Sequence, residues 1–289
     1  MSDLIKELIH RGFGDVIVTL TTLPTRIVQD YDHGIRSCLM SLINQNYEGD
    51  YEIHFNVPVK YNFTGEDFIV PEWISQLSVD YPYFKIFRTE DYGPVTKLVP
   101  TLMRTEERSF WNTIIIVCDD DLVYHPDMVA EHVRNQLNYQ RTACGYDGVR
   151  AEYPQFGDVR DHYVVTVPFD MEVNHLQHYK TVSYRRNWFG EDFFTDFVGT
   201  CWNDDILVAA YMGKEGIRRL VRTYDGEPKL LTYNEWSDGK DGIKGGVESF
   251  PVLRHTAHEG REGCNLYRET MSKEVDDAYA RFRDLGYLK

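Results

Sequence analysis

Six apolar or β-branched residues, Thr113 to Cys118, run directly into three consecutive aspartates at positions 119–121. The apolar run predicts a strand that is buried on both faces. Three adjacent carboxylates repel one another unless a cation lies among them, and ligands of open α/β sheets bind beyond the carboxyl ends of the strands. The pattern therefore predicts a site for a divalent cation and for the sugar or phosphate of a nucleotide. An acidic turn that caps the following helix is the alternative interpretation.

Strand-like and helix-like segments alternate through the first half of the chain. Besides the run before the aspartates, strands are predicted at Asp15–Thr22, Tyr51–Val57 and Tyr83–Arg88. Apolar residues recur at helical spacing between these strands and again after Pro126. This alternation predicts an α/β fold with a mainly parallel central sheet flanked by helices. The chain contains no G-x-G-x-x-G and no G-x-x-x-x-G-K-[ST] motif, which argues against dinucleotide and P-loop sites of those types.

The second half is less regular in its patterning. A strand is predicted at Tyr163–Val167 and a helix at Asp204–Met212 with Asn203 or Asp204 as its N-cap, whereas the first half also holds a predicted helix at 94–104, bent at Pro100. The glycine-rich segment 237–249 is predicted to be a mobile loop that closes over the bound donor and excludes water. The last 17 or so residues are predicted to form a surface helix. No repeat or linker divides the chain, so a single domain over residues 1–289 is expected.

Charge and composition limit the partners of the chain. Asp and Glu number 46 against 31 Lys and Arg, a formal net charge of −15, which disfavours nucleic acids and anionic membranes. The five cysteines form no C-x-x-C pair, which favours a reducing compartment. Neither a signal peptide nor an apolar stretch long enough to span a bilayer is evident, so a soluble cytoplasmic protein without a transmembrane segment is expected.

Four segments, in this order and spacing, resemble glycosyltransferases. They are VTLTTLPTRI (18–27), DYGPVTKL (91–98), IIIVCDDDLVYHPDMV (114–129) and NDDILVAAYM (203–212). Together they resemble enzymes of the GT-A fold, close to the family 2-like members and of a soluble type that some large DNA viruses carry. The resemblance implies a nucleotide-sugar-binding half at about 15–140. It also implies an acceptor-binding half at about 141–289, which includes the C-terminal helix.

The resemblance assigns the acidic motif to the metal and the nucleotide. Asp121 matches a metal ligand, and Asp119 matches a residue that contacts the ribose or the metal, while Asp120 would point the other way, toward the backbone. The implied cofactor is Mn²⁺ or Mg²⁺, since hard cations take oxygen ligands and share them with substrate phosphates. His255 and His258 are further metal-ligand candidates, because several related enzymes supply a C-terminal histidine. A solvated or core histidine is the alternative for both.

The resemblance also assigns two loops to the nucleotide. Thr21, Thr22 and Arg26 follow the first strand and match a nucleotide-binding loop, although Arg26 could instead pair with a surface acid. Gly-Pro before a helix start presents free backbone N–H groups, so Lys97 in the first helical turn is expected to face a phosphate. A surface lysine is the alternative for Lys97. Asp91 would accept a hydrogen bond from uracil or ribose, or would only cap the turn.

The segment around Asp205 matches the part of the family that carries the general base. Asp205 would take a proton from an acceptor hydroxyl, opposite the departing diphosphate, and a second helix cap is the alternative for it. Asp204 departs from the usual Glu, and helix capping is the favoured interpretation for it. Several aromatic residues between 188 and 202 precede the base, and they form either an acceptor platform or a part of the core. Trp188 is the favoured platform residue, because it follows a polar run.

These features predict a metal-dependent hexosyltransferase-type glycosyltransferase. It would move a sugar from a nucleoside-diphosphate sugar, with UDP favoured, to a glycan or another hydroxyl acceptor, with inversion at the anomeric carbon. A catalytically silent carbohydrate- or metal-binding module is an alternative of another class. A nucleotidyltransferase is a further alternative, but the chain lacks the Gly-rich basic loop that such enzymes usually carry after the first strand.

Overall fold

The architecture is taken from a computed structural model. It describes residues 3–4, 6, 15–28, 35–106, 112–150, 163–164, 170–222, 232–233 and 277–288. His255, His258 and the glycine-rich segment 237–249 lie outside these residues. The predicted roles of these three features therefore stay predictions.

An eight-stranded mixed sheet forms the centre of the molecule. Its strands, in spatial order, are β3 (Phe84–Thr89), β2 (Glu52–Pro58), β1 (Val16–Thr21), β4 (Ile114–Val117), β11 (Val182–Arg185), β6 (Thr142–Gly145), β12 (Arg218–Val221) and β9 (Met171–Glu172). The pairs β3–β2, β2–β1, β1–β4 and β6–β12 are parallel. Strand β11 runs antiparallel to both β4 and β6, and β9 runs antiparallel to β12. The mainly parallel central sheet predicted from the sequence is confirmed.

Short strands form two small satellite sheets. One contains β10 (His175–Leu176), β7 (Gly148–Arg150) and β8 (Tyr163–Val164), and the other pairs β13 (Thr232–Tyr233) with β5 (Val123–Tyr124). Strand β5 lies just beyond the three aspartates, so its pairing fixes the chain on the far side of the acidic motif. The strand predicted at Tyr163–Val167 is present over its first two residues, and 165–169 lie outside the description.

Helices flank the central sheet. They are α1 (Pro24–Ile27), α2 (Ile35–Ile43), α3 (Glu72–Asp80), α4 (Val99–Arg104), α5 (Met128–Asn138) and α6 (Asp204–Lys214), together with a 3₁₀ helix at Gly93–Lys97 and a helical segment at 277–284. In place of the bent helix predicted at 94–104, the structure has two helices that meet at Leu98. Proline is tolerated in the first turn of a helix but not in its interior, so Pro100 fits the start of α4. Each predicted helix near 72, 128 and 204 is present.

The sheet separates two hydrophobic clusters, and β4 contributes to both. Ile114 and Ile116 belong to the cluster that includes α2 and α5, whereas Ile115 and Val117 belong to the cluster that includes α6. All four side chains are fully buried, as the unbroken apolar run predicted. The predicted C-terminal surface helix is present at 277–284, where Asp277 and Arg281 are exposed and one face, with Ala278, Tyr279 and Phe282, is buried in the second cluster.

The strand order reverses beside β1, which defines where a ligand would bind. The chain moves outward from β1 to β2 and β3, then returns to place β4 on the other side of β1. In sheets of this kind the crevice beyond the carboxyl ends of the two strands at the reversal is the usual ligand site. Thr22 follows β1 and Asp119 follows β4 at this edge. Within the described part of the chain, no helix is long and apolar enough to cross a membrane.

Candidate functional site

The acidic motif lies beyond the end of β4 and is held by a buried tyrosine. The hydroxyl of Tyr124 accepts a hydrogen bond from the backbone N–H of Asp119 at 2.8 Å and donates one to its carbonyl oxygen, also at 2.8 Å. Tyr124 is 1% exposed, so its hydroxyl has no access to water and is fixed by these two bonds. The peptide of Asp119 is thereby oriented before any ligand binds.

Asp120 is the buried member of the motif. The hydroxyl of Thr22 donates to its Oδ2 atom at 2.6 Å, and the guanidinium of Arg26 pairs with its Oδ1 atom. Arg26 also lies 3.3 Å from Oδ2 of Asp121. Burial alone would lower the pKa of Arg26, but the charges of Asp120 and Asp121 raise it above its usual value. The expectation that Asp120 points toward the backbone is wrong, because its carboxylate is bound by the loop after β1.

Thr22 and Arg26 therefore hold the acidic motif directly. Arg26 pairs with buried carboxylates and not with a surface acid, which corrects the alternative interpretation from the sequence. The hydroxyl of Thr21 donates to the carbonyl of Asn56 at 2.8 Å, so it ties β1 to β2. Of these three residues only Arg26 carries a positive charge, so it is the one that could bind a phosphate beside Asp121.

Lys97 lies between the acidic motif and the start of α6. Its Nζ atom is 2.5 Å from Oδ1 of Asp119 and 2.9 Å from Oδ2 of Asp204. The residue is 7% exposed, which excludes the surface-lysine alternative. Burial alone would lower the pKa of Lys97, but the nearby charges of Asp119, Asp204 and Asp205 raise it well above its usual value. Lys97 is therefore a buried cation at neutral pH.

Asp91 closes the turn that leads into the 3₁₀ helix. Its carboxylate accepts hydrogen bonds from the backbone N–H groups of Gly93 at 2.9 Å and of Asn62 at 2.8 Å. The side-chain amide of Asn62 also donates a hydrogen bond, to the backbone carbonyl oxygen of Asp91 at 2.6 Å. These contacts support the turn-capping interpretation of Asp91.

Asp204 and Asp205 begin α6, but neither caps it. The N-cap is Asn203, whose side chain accepts a hydrogen bond from the N–H of Ile206 at 2.9 Å. The interpretation of Asp204 as a helix cap is wrong, because its carboxylate faces Lys97 and His178. Burial would raise the pKa of Asp204, but Lys97 and His178 hold it below its usual value. The side chain of Asp205 is 19% exposed against 11% for Asp204, so Asp205 is the more accessible carboxylate.

His178 is a site residue that sequence reasoning missed. Its Nδ1 atom lies 2.7 Å from Oδ2 of Asp204 and 2.8 Å from Oδ1 of Asp205, and its backbone N–H donates to Asp205 at 2.9 Å. Its Nε2 atom lies 2.9 Å from the hydroxyl of Tyr184 on β11. Burial lowers the pKa of His178, but hydrogen bonds to Asp204 and Asp205 outweigh that effect and raise it to about 9.

His178, Asp204 and Asp205 also have the ligand types of a metal site. Their ligand atoms lie within 4.8 Å of one another. However, the Nδ1 atom is within hydrogen-bond distance of both carboxylates, and Lys97 supplies a second cation. An ion pair between a protonated imidazole and two carboxylates accounts for this geometry without a metal ion.

The two acidic segments meet as one charged cluster with an excess of negative charge. Its five carboxylates belong to residues 119, 120, 121, 204 and 205, and its three cations are Arg26, Lys97 and protonated His178. The excess of two negative charges matches one divalent cation. Carboxylate oxygens are the ligands that Mg²⁺ and Mn²⁺ accept, so Asp119 and Asp121, the two partly exposed members of the motif, fit such an ion.

The aromatic segment before α6 belongs mostly to the core. Phe189, Phe193 and Phe197 are buried around the ring of Tyr211. Trp188 is 7% exposed and packs in the same cluster, so it is not the platform residue that the sequence suggested. Trp202 is only partly buried and lies against Gly93.

Comparison with known proteins finds only distant similarity to solved structures. The sequence matches no protein-family model and no curated protein. A crystal structure of 4-diphosphocytidyl-2C-methyl-D-erythritol synthase is 11% identical with a TM-score of 0.44, and the match covers 76% of this chain and 92% of that one. A crystal structure of S. aureus TarS 1–349 is 12% identical with a TM-score of 0.47, and the match covers 76% of this chain and 60% of the other. At this level of similarity neither structure carries information about activity, which depends on the site itself.

Proposed function

We propose that the chain is a metal-dependent glycosyltransferase of the GT-A fold, similar to family 2 enzymes. It transfers a sugar from a nucleoside-diphosphate donor, with uridine favoured, to a hydroxyl group of a glycan acceptor. The observation that carries this proposal is the double ion pair of Lys97 with Asp119 and Asp204. That contact brings the acidic motif, which suits a metal and a nucleotide, next to the segment that suits a general base.

The topology supports the same proposal. The strand order β3-β2-β1-β4 with the antiparallel strand β11 beside β4 agrees with the fold that the four sequence segments resemble. The residues assigned to the donor and the acceptor come from separate parts of the chain and meet at one edge of the sheet, where α/β proteins bind ligands. A catalytically silent binding module would not require a carboxylate such as that of Asp205 to be held next to that edge.

The donor would bind through the metal and two cations. Asp119 and Asp121 would hold Mn²⁺ or Mg²⁺, which offsets the charge that develops on the leaving diphosphate when the sugar departs. Arg26, fixed by Asp120, would lie beside the pyrophosphate. Lys97 keeps the carboxylate of Asp119 in place and adds positive charge to the same region. Thr22 holds Asp120, so the loop after β1 acts as a support for the motif.

Asp205 would accept the proton of the acceptor hydroxyl. It is more exposed than Asp204, and its Oδ1 atom is held by both the ring and the backbone N–H of His178. A carboxylate fixed in this way keeps one oxygen directed by the protein and leaves the other for the acceptor. Attack by the activated oxygen on the face opposite the diphosphate would invert the anomeric carbon. His178 is a positioning residue in this scheme.

The proposal is tested first by calorimetric titration of uridine diphosphate. We expect micromolar binding in the presence of Mn²⁺ that disappears on addition of EDTA and in the variant Asp121→Ala. The exposed Asp196 provides a matched control, because Asp196→Ala removes a carboxylate of the same type outside the cluster. If uridine, guanosine and thymidine diphosphates all fail to bind with or without Mn²⁺, the transferase proposal is wrong.

A further inference from the structure

A cleft of about 640 Å³ lies beside the charged cluster and has no role in the donor site. One wall is the turn Asp91–Gly93, the second is the segment that ends at Trp202, and the third is formed by Asp277 and Arg281 of the helical segment at 277–284. This volume is in the range of sites that bind small molecules. The cleft is therefore large enough for a substrate and is built from three separate parts of the chain.

The first two walls continue directly into the charged cluster. The turn that contains Gly93 begins the 3₁₀ helix that ends at Lys97, and Trp202 precedes the N-cap of the helix that begins with Asp204. Lys97 and Asp204 are in contact, so the two walls converge on the residues around Asp205. Through these two segments the cleft is connected to the part of the site that holds the general-base candidate.

Trp202 forms a fixed aromatic wall. A Cβ atom added to Gly93 would lie 3.0–3.2 Å from three ring atoms of Trp202, so the indole rests on the bare glycine backbone. The φ angle of Gly93 is +68°, a conformation that other residues rarely adopt. The ring is thus held by a close approach that only glycine permits. Tyr92 adds a second, partly buried aromatic ring to the lining.

The polar part of the lining suits hydroxyl groups better than anions. Asp91 and Asp277 outnumber Arg281, and the chain as a whole is strongly acidic. The excess of negative charge would repel a phosphate or a nucleotide from this lining. A sugar ring combines apolar C–H faces, which pack on aromatic rings, with hydroxyl groups that bond to carboxylates and guanidinium groups. The lining has both kinds of partner.

We propose that this cleft binds an uncharged saccharide, the acceptor of the transferase, with Trp202 as its stacking platform and Arg281 as a hydrogen-bond donor. The role of the saccharide as acceptor rests on the proposed function, whereas the binding of a saccharide in the cleft does not depend on it. Asp91 acts in the framework, since its carboxylate is bound by Gly93 and Asn62. The aromatic platform expected from the sequence is thereby moved from Trp188 to Trp202.

Binding of the intact protein to an array of immobilised oligosaccharides tests this assignment. The array would carry uncharged oligosaccharides beside their phosphorylated and carboxylated counterparts. We expect retention on a subset of the uncharged members only. Trp202→Leu and Arg281→Ala should each weaken that retention by about tenfold, the effect of losing one good contact. Arg283→Ala is the matched control, because Arg283 lies on the same helical segment outside the lining and should bind as the parent protein does.

The outcomes separate this proposal from the transferase proposal. Retention of no uncharged oligosaccharide, retention of anionic members only, or equal retention of the parent protein and both cleft variants would overturn the saccharide assignment. Arg281 is exposed, so Arg281→Ala remains informative even if Trp202→Leu fails to fold. Titration of uridine diphosphate with Mn²⁺ should be unchanged in both variants. Saccharide binding without nucleotide binding would leave the cleft assignment standing and reject the transferase.

Discussion

The Nζ atom of Lys97 lies 2.9 Å from Oδ2 of Asp204, and the same atom contacts Asp119 at 2.5 Å. A single buried cation therefore neutralises parts of two acidic segments that are far apart in the sequence. Without it, the carboxylates at the end of β4 and the start of α6 would face one another across a poorly solvated space. The geometry of the whole site depends on this lysine.

Replacing Lys97 with Met should destabilise the protein strongly. The change keeps the length of the side chain but leaves the buried carboxylate of Asp204 and the partly exposed one of Asp119 without their cation; removing one partner of a buried ion pair typically costs about 3–5 kcal/mol. The matched control is Lys85→Met, whose partner Glu52 is partly exposed, so its cost should be about 0–1 kcal/mol. Urea denaturation of the two variants measures both free energies of unfolding.

Divalent metal should partly restore the Lys97→Met variant. If Asp119 is a ligand, Mn²⁺ replaces some of the missing positive charge and raises the melting temperature of the variant more than that of the parent protein. Equal shifts in both proteins would contradict a role for Asp119 in metal binding.

Removing the charge of Asp205 should abolish turnover without loss of donor affinity. In Asp205→Asn the amide keeps the size of the side chain but cannot take a proton, so the turnover number should fall at least about a hundredfold. Asp196→Asn, an exposed substitution of the same type, should retain full activity. Steady-state rates and titration of uridine diphosphate would be compared for the two variants. A fall in affinity that matches the fall in rate would assign Asp205 to binding instead.

His178 should make stability depend on pH in the neutral and alkaline range. Its pKa is raised from 6.5 to about 9 in the folded protein, so the folded state holds the proton more tightly than the unfolded state. The resulting stabilisation is complete below pH 6.5 and is lost as the pH rises through 9, a change of about 3 kcal/mol. In His178→Asn the amide still donates a hydrogen bond but does not titrate. The loss of stability relative to the parent protein should therefore be larger at pH 6 than at pH 9.5.

His54 offers a control of opposite sign. Burial lowers its pKa to about 4, so the unfolded state binds the proton more tightly than the folded state. The parent protein is destabilised by this difference as the pH falls below 6.5. His54→Asn should therefore cost less at pH 6 than at pH 9.5. Urea midpoints at the two pH values give both comparisons, and a cost of His178→Asn that is also smaller at pH 6 than at pH 9.5 would show that its imidazole is neutral in the folded protein.

Substitutions at two glycines with nearly the same backbone conformation allow the cost of backbone strain to be distinguished from the cost of a steric clash. Gly93 has φ of +68° and Gly65 has φ of +73°, but only Gly93 has atoms of another residue near its missing Cβ. Gly65→Ala should cost about 1 kcal/mol from backbone strain alone. Gly93→Ala should cost more and should shift the tryptophan fluorescence, because the indole of Trp202 must move. Equal costs and unchanged fluorescence would contradict the packing of Trp202 on Gly93.

The sequence predicted those parts of the site that follow from local patterns. The apolar run before Asp119 locates the acidic motif at a strand end, and the start of α6 near Asp204 follows from helical spacing. The partners of Lys97 could not be predicted, because they depend on how the 3₁₀ helix packs against α6. His178 lies in a short turn with no periodic pattern. Its role arises only from the contact between that turn and α6.

The choice between Trp188 and Trp202 shows the same limit. Both tryptophans flank polar residues in the sequence, so their local patterns are alike. Trp188 is buried because the short 3₁₀ turn that follows β11 directs it into the second cluster, whereas Trp202 meets the bare backbone of Gly93. Only the tertiary fold brings residues 93 and 202 together.

The position of β11 has a consequence for synthesis of the protein. Strand β4 pairs with β1 on one side and with β11 on the other. During synthesis this aliphatic strand therefore has no neighbour on its second side until residues 182–185 have left the ribosome. Until then the nascent chain exposes an unpaired strand edge, and such edges promote aggregation. A fragment that stops near residue 150 would keep that edge permanently. We therefore expect such a fragment to aggregate, because the edge of β4 would have no neighbouring strand.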